Sequence, residues 1–89
     1  MAVLVRSTVG GMGAAEYDQA ASGLIETLRK QPGFIMHVAY PVADGFVVGE
    51  IWETPEQSEK WMDDYVRPNV PAAAGVKQEV FEIHNLVQP

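Results

Sequence analysis

The chain has 89 residues, 47% of them hydrophobic and 20% charged, with no cysteine and a formal net charge of −6 at pH 7. That length makes a single domain, residues 1–89, which buries only about 60–65% of its unfolded surface; with disulfides and thiolate metal sites excluded, self-association is the expected supplement. The six basic residues are scattered, which argues against nucleic acid and anionic membrane surfaces, and no apolar run approaches the roughly 18–20 residues of a membrane helix.

The opening MAVLVRSTVG has too short an apolar core for a signal peptide and reads as a first strand over Ala2–Thr8, so a soluble, cytoplasmic protein is the expectation. Gly10-Gly11 breaks that strand; it is a turn and lacks the spacing of a phosphate loop. From Met12 to Gln31 the apolar positions Tyr17, Ala20, Ala21, Leu24, Ile25 and Leu28 recur at helical spacing, with Glu26 and Lys30 as an i,i+4 pair. Gln31-Pro32-Gly33 ends that helix.

Two apolar runs, Phe34–Val42 and Phe46–Trp52, flank Asp44-Gly45, a hairpin signal because a type I′ turn needs positive φ at both central positions. Thr54, Pro55 and Gln57 then form the N-terminal signature of a second helix. That helix runs from Pro55 to about Val66, with Trp61, Met62, Tyr65 and Val66 as its apolar stripe and Glu56–Lys60 and Asp63–Arg67 as i,i+4 pairs. Pro68 and Pro71 stop it, Ala72–Gly75 connects, and Gln78–Val87 alternates into a last strand. The order β-α-β-β-α-β is the ferredoxin-like α+β plan: a four-stranded antiparallel sheet in spatial order 4-1-3-2 with both helices on one face. The other face then needs cover, and a homodimer interface is the expected one.

Several segments resemble the antibiotic biosynthesis monooxygenase-like branch of the dimeric α+β barrel superfamily. They are Gly11-Met12 with Tyr17-Asp18, Pro32-Gly33-Phe34, Glu50-Ile51-Trp52-Glu53-Thr54 and Val80-Phe81-Glu82-Ile83-His84-Asn85. The resemblance covers almost the whole chain and implies a dimeric α+β barrel. Similar small proteins include cofactor-free oxygenases, polyketide cyclases and haem-degrading enzymes, so fold analogy does not choose a chemistry. The haem-degrading relatives join a tryptophan matched here by Trp61 to a later haem-ligating histidine, where this chain has Val70-Pro71. A plant cyclase of the group carries a tyrosine before a His-Pro-x-His segment; this chain keeps Tyr65 and has Arg67-Pro68-Asn69.

Strict alternation puts Leu4, Arg6 and Thr8 on one face with Val48, Glu50, Trp52, Glu82 and His84, and Val3, Val5, Val47, Gly49, Ile51, Phe81 and Ile83 on the other. Arg6 would then lie between Glu50 and His84. The three are candidate catalytic residues that would orient an anionic or enolic ligand, with His84 as the acid-base group; an interface ion pair with a wet histidine is the competing reading. His37, flanked in alternation by Ile35 and Ala39 on an edge strand, reads more simply as a hydrogen-bonded structural residue. Tyr17, Trp52, Trp61 and Tyr65 are candidate substrate-binding walls of a helix–sheet cleft, although aromatics at such spacing also serve as plain core.

No nucleophilic triad can be assembled, and two distant histidines lack metal-ligand spacing. What remains is proton transfer or oxygenation on an activated small molecule, with no metal and no cofactor expected. The leading expectation is a cofactor-independent monooxygenase or cyclase acting on a phenolic or polyketide-like compound. The alternatives are a non-catalytic protein that binds a small hydrophobic ligand, and a purely structural dimer module.

Overall fold

In the computed structural model, which describes residues 1–89, strands β1 (Val3–Gly10), β2 (Phe34–Val42), β3 (Gly45–Trp52) and β4 (Lys77–Glu82) form one antiparallel sheet. Their spatial order β2-β3-β1-β4 is the expected 4-1-3-2 read from the opposite edge. β4 is shorter than its alternating sequence because β1 supplies no further partner: Val3 pairs with Glu82, and the last rung runs from the Ile83 N–H to the Ala2 carbonyl at 3.0 Å.

The helical segments are more broken than the apolar periodicity predicts. In place of one helix over 12–31 there are α1 (Ala14–Ala21) and α2 (Ile25–Arg29), separated at Ser22-Gly23-Leu24. Gly23 weakens helix continuity there, and the Ser22 hydroxyl bonds back to the Gln19 carbonyl at 2.9 Å, offering the backbone a competing partner. After β3 come α3 (Pro55–Trp61), a π-helical turn over Met62–Val66 and the single turn α4 (Arg67–Asn69), so the helical path passes Pro68 and does not stop at it. A proline ring crowds the carbonyl four residues back, and widening the turn, with the Arg67 N–H bonded to the Met62 carbonyl, makes room for it. The exposed ion pairs also shift by a register: Lys60 meets Asp64 at 2.8 Å and Arg29 meets Glu26 at 3.6 Å, while Arg67 does pair with Asp63.

The cap of α3 forms as its sequence predicts. The Thr54 hydroxyl accepts the Gln57 N–H at 3.3 Å and the Gln57 side chain accepts the Thr54 N–H at 3.1 Å. Replacing Thr54 with Ala should therefore cost about 1 kcal/mol, measured as a lower midpoint in denaturant melting; an unchanged midpoint would show the cap to be idle.

The hairpin is present, but its turn lies at Ala43-Asp44, with Val42 paired to Gly45, and neither Asp44 nor Gly45 has positive φ. Gly45 is needed for a different reason: a Cβ there would stand 2.2 Å from the Val9 carbonyl oxygen of the neighbouring strand. The glycine permits close backbone approach and does not make the turn.

Register also corrects the assignment of faces. β1 pairs with β3 as Val3 to Trp52, Val5 to Glu50 and Ser7 to Val48, so odd positions of β1 share a face with even positions of β3. Val3, Val5, Leu28, Trp52, Trp61 and Met62 form the main core between that face and the helices, and Val9, Met12 and Phe46 form a smaller cluster beside it. Leu4, Arg6 and Thr8 lie on the opposite, uncovered face with Val47, Gly49, Ile51 and Phe81.

Candidate active site

A β-bulge in β2 sets the geometry of the site. Phe34 pairs with Trp52 and Met36 with Ile51, which leaves Ile35 as an extra residue. Uninterrupted alternation from Phe34 would turn His37 to the uncovered face. The extra residue brings it round opposite Glu50, under the helices.

There the side chains form a hydrogen-bonded chain. The Tyr17 hydroxyl from α1 lies 2.6 Å from His37 Nε2, His37 Nδ1 lies 2.8 Å from Glu50 Oε2, and Trp52 Nε1 donates to Glu50 Oε1 at 3.1 Å. An indole N–H can only donate and an ionised carboxylate can only accept. With Glu50 ionised and the ring neutral the chain runs one way: Glu50 accepts from both Trp52 and His37 Nδ1, and Nε2 is the acceptor for the Tyr17 hydroxyl. The side chains of His37 and Glu50 are only 18% and 10% exposed, so these interactions are little screened by water. Tyr17 is also stacked on Phe46, ring centroids 5.1 Å apart, which fixes its plane.

Burial first, and then the charges of Glu50 and Asp18, push the Tyr17 phenol above its ordinary value. A raised folded value means that Tyr17 contributes full stability below the unfolded tyrosine value of about 10 and loses it as pH rises through the folded value. Tyrosinate absorbance should show one late-titrating tyrosine that Tyr17→Phe removes.

Tyr17, His37 and Glu50 open onto a cavity of about 100 Å³ between the sheet and the helices, lined otherwise mainly by apolar side chains. All six positions of the first helical stripe, Tyr17, Ala20, Ala21, Leu24, Ile25 and Leu28, wall it. From the other side come Trp61, Met62 and Val66, and the π-helical turn sets where the latter two point. The small side chains of Ala20 and Ala21 leave the space that larger residues would fill.

The other sequence candidates lie apart from this cluster. Trp52 is fully buried and serves as the indole donor to Glu50, not as a cavity wall. Tyr65 stacks on Trp61, centroids 5.0 Å apart, and faces a more polar groove next to the cavity. Arg6 does not lie between Glu50 and His84. Antiparallel register puts it on the uncovered face, where it bonds Glu79 at 2.6 Å and sits 5.7 Å from the centre of the Phe81 ring. Its guanidinium holds the Glu79 carboxyl below the usual range, chiefly through that hydrogen bond. His84 lies exposed beyond the end of β4. The three side chains thus do not share a site, because alternation within each strand says nothing about which face of its neighbour it matches. His37 joins Glu50 instead, and no local pattern in the sequence marks the bulge that turns it inward.

No group of three or more His, Asp or Glu side chains is placed to hold a metal ion, and no helix is long and apolar enough to cross a membrane.

No family model and no curated protein sequence matches the chain. Solved structures do match its backbone. SnoaB, a cofactor-independent oxygenase from Streptomyces nogalater, is 14% identical with a TM-score of 0.70 over 99% of this chain and 97% of its own. A protein from Nitrosomonas europaea, provisionally described as an antibiotic biosynthesis monooxygenase, is 12% identical with a TM-score of 0.74 over 93% and 90%. MhuD, seen with two manganese protoporphyrin IX molecules per active site, is 20% identical with a TM-score of 0.66 over the full length of both chains. The chain has the ferredoxin-like fold of the antibiotic biosynthesis monooxygenase-like proteins.

Proposed function

From this fold and the chain of hydrogen bonds ending at the cavity, we propose that the protein is a cofactor-independent enzyme. It would activate a phenolic or enolisable small molecule by proton transfer, for oxygenation by dioxygen or for cyclisation. One observation carries the reading: a carboxylate–imidazole–phenol series, Glu50–His37–Tyr17, stands at the wall of an otherwise apolar cavity.

The roles follow from the direction of the bonds. His37 Nε2 is the base, taking the substrate proton through the Tyr17 hydroxyl, which passes its own proton on as it receives another. Glu50 holds the tautomer in which Nε2 carries no proton and stabilises the imidazolium that results. Tyr17 and Trp61 bound the substrate. A substrate anion formed in a nearly dry cavity is electron-rich and unsolvated, the state in which attack on oxygen or on an internal carbonyl is easiest. Haem does not suit these residues, since both ring nitrogens of His37 are engaged and no other histidine lines the cavity.

The test is a panel of phenolic and polyketide-like compounds assayed for binding, oxygen uptake and product. Turnover by the wild type that is lost in His37→Ala supports the enzyme. Binding without conversion, with or without oxygen, would replace it with a ligand-sequestering protein.

The reading includes a homodimer formed through the uncovered sheet face. Met36, Val38, Tyr40 and Phe81 on that face are each 40–48% exposed, an apolar surface that a lone protein of this size would keep from water. Light scattering should give twice the 9.7 kDa chain mass; a stable monomer would remove this part of the proposal.

A further inference from the structure

A second, wider hollow of about 670 Å³ lies beside the cavity, between the α1–α2 break and the end of the second helical path. Met12, Ala20, Leu24 and Val70 have a surface in both spaces and stand between them. The two differ in chemistry. The cavity is apolar apart from Ser7 and the polar groups of Tyr17, His37 and Glu50, whereas the hollow presents Glu16, Gln19, Ser22, Thr27 and Asn69. Neither contains a lysine or an arginine.

We infer that cavity and hollow are one two-part site for a neutral amphipathic molecule, a single hydroxylated ring in the cavity carrying an uncharged polar substituent that lies in the hollow. The inference rests on the reading of Glu50–His37–Tyr17 as the active site and adds what that site selects. The cavity is on the scale of the ~150 Å³ apolar space that takes up benzene, so it holds one ring and not a fused polycycle. Its hydroxyl meets the polar wall at Tyr17 and His37. A substituent para to that hydroxyl passes between the flexible Met12 and Leu24 side chains and reaches side chains that both donate and accept hydrogen bonds. A carboxylate on the same substituent would meet Glu16 with no cation to pair it and Glu50 behind it, which disfavours anions. This reverses the expectation of an anionic ligand held by Arg6, whose guanidinium is on the far face of the sheet.

The experiment is an NMR titration of the wild-type protein with phenol, 4-hydroxyphenyl β-glucoside and 4-hydroxybenzoate, repeated on Gln19→Ala and Thr27→Val. Two or so additional neutral hydrogen bonds predict a glucoside Kd about tenfold below that of phenol. 4-Hydroxybenzoate should bind more weakly than phenol. The two variants should abolish the glucoside's advantage and leave phenol binding unchanged. If phenol binds at the cavity while the glucoside gains nothing, or 4-hydroxybenzoate binds as tightly as phenol, the two-part site is overturned and the catalytic reading stands. If phenol moves no resonance of Tyr17, His37 or Glu50, both fall together.

Discussion

Glu50→Gln should lower turnover by roughly a hundredfold to ten-thousandfold, the range of a lost general base, with the fold largely kept. The amide has nearly the shape of the carboxylate, but one of its two arms is a donor. Its oxygen can still accept from Trp52 Nε1, 3.1 Å away in the wild type, which turns its NH₂ toward His37 Nδ1. Nδ1 must then accept, the proton moves to Nε2, and Nε2 donates to Tyr17 where it formerly accepted. The base disappears while every hydrogen bond is retained. Nitrogen NMR of the imidazole reads the tautomer directly, and steady-state kinetics reads the consequence. A flipped tautomer with unchanged turnover would show that His37 is not the base. An unflipped tautomer would mean that the amide is oriented the other way, with Trp52 unpaired, and the variant should then be measurably less stable.

Trp52→Ala should unfold the protein or come close to it. Removing a fully buried tryptophan costs about 3–5 kcal/mol, and leaving one carboxylate oxygen of a buried Glu50 without its donor adds about 1–3 kcal/mol. A small domain has only about 5–15 kcal/mol in total. Trp52 touches both the main apolar core and the polar chain: Phe34 packs on it edge-on with centroids 5.5 Å apart, and its N–H anchors the carboxylate. Trp52→Phe separates the two parts, keeping most of the packing and losing the donor. It should melt at lower denaturant than the wild type yet well above Trp52→Ala. Equal midpoints for the wild type and Trp52→Phe would mean that the indole hydrogen bond contributes nothing, and that Glu50 is held by His37 alone.

The amphipathic stripes, the helix cap and the order of elements along the chain were legible in the sequence because each depends on residues close together along the chain. Tyr17, Ala20, Ala21, Leu24, Ile25 and Leu28 appear as one stripe from spacing alone, and all six line the cavity. Thr54-Pro55-Glu56-Gln57 announces a helix start whose hydrogen bonds form within four residues. Tyr17, Glu50 and Trp61 could likewise be chosen as candidates, since a carboxylate amid apolar residues and aromatics on inward stripes are unusual enough to notice.

What the sequence by itself determined is therefore the β-α-β-β-α-β order, the inward stripe of each helical segment and the kinds of side chain that would meet between helices and sheet. Only the tertiary structure decided which of them do meet. Alternation has a period of two, so a one-residue difference in pairing moves a whole strand's side chains to the opposite face; the register of β1 against β3 thus separated Arg6 from Glu50. The same arithmetic worked in reverse at Ile35, where a single extra residue carried His37 from the open face to within hydrogen-bond reach of Glu50 and Tyr17. Register and bulges are set by contacts between segments far apart in the chain, and for that reason the partner of Glu50 became visible only once the strands were paired.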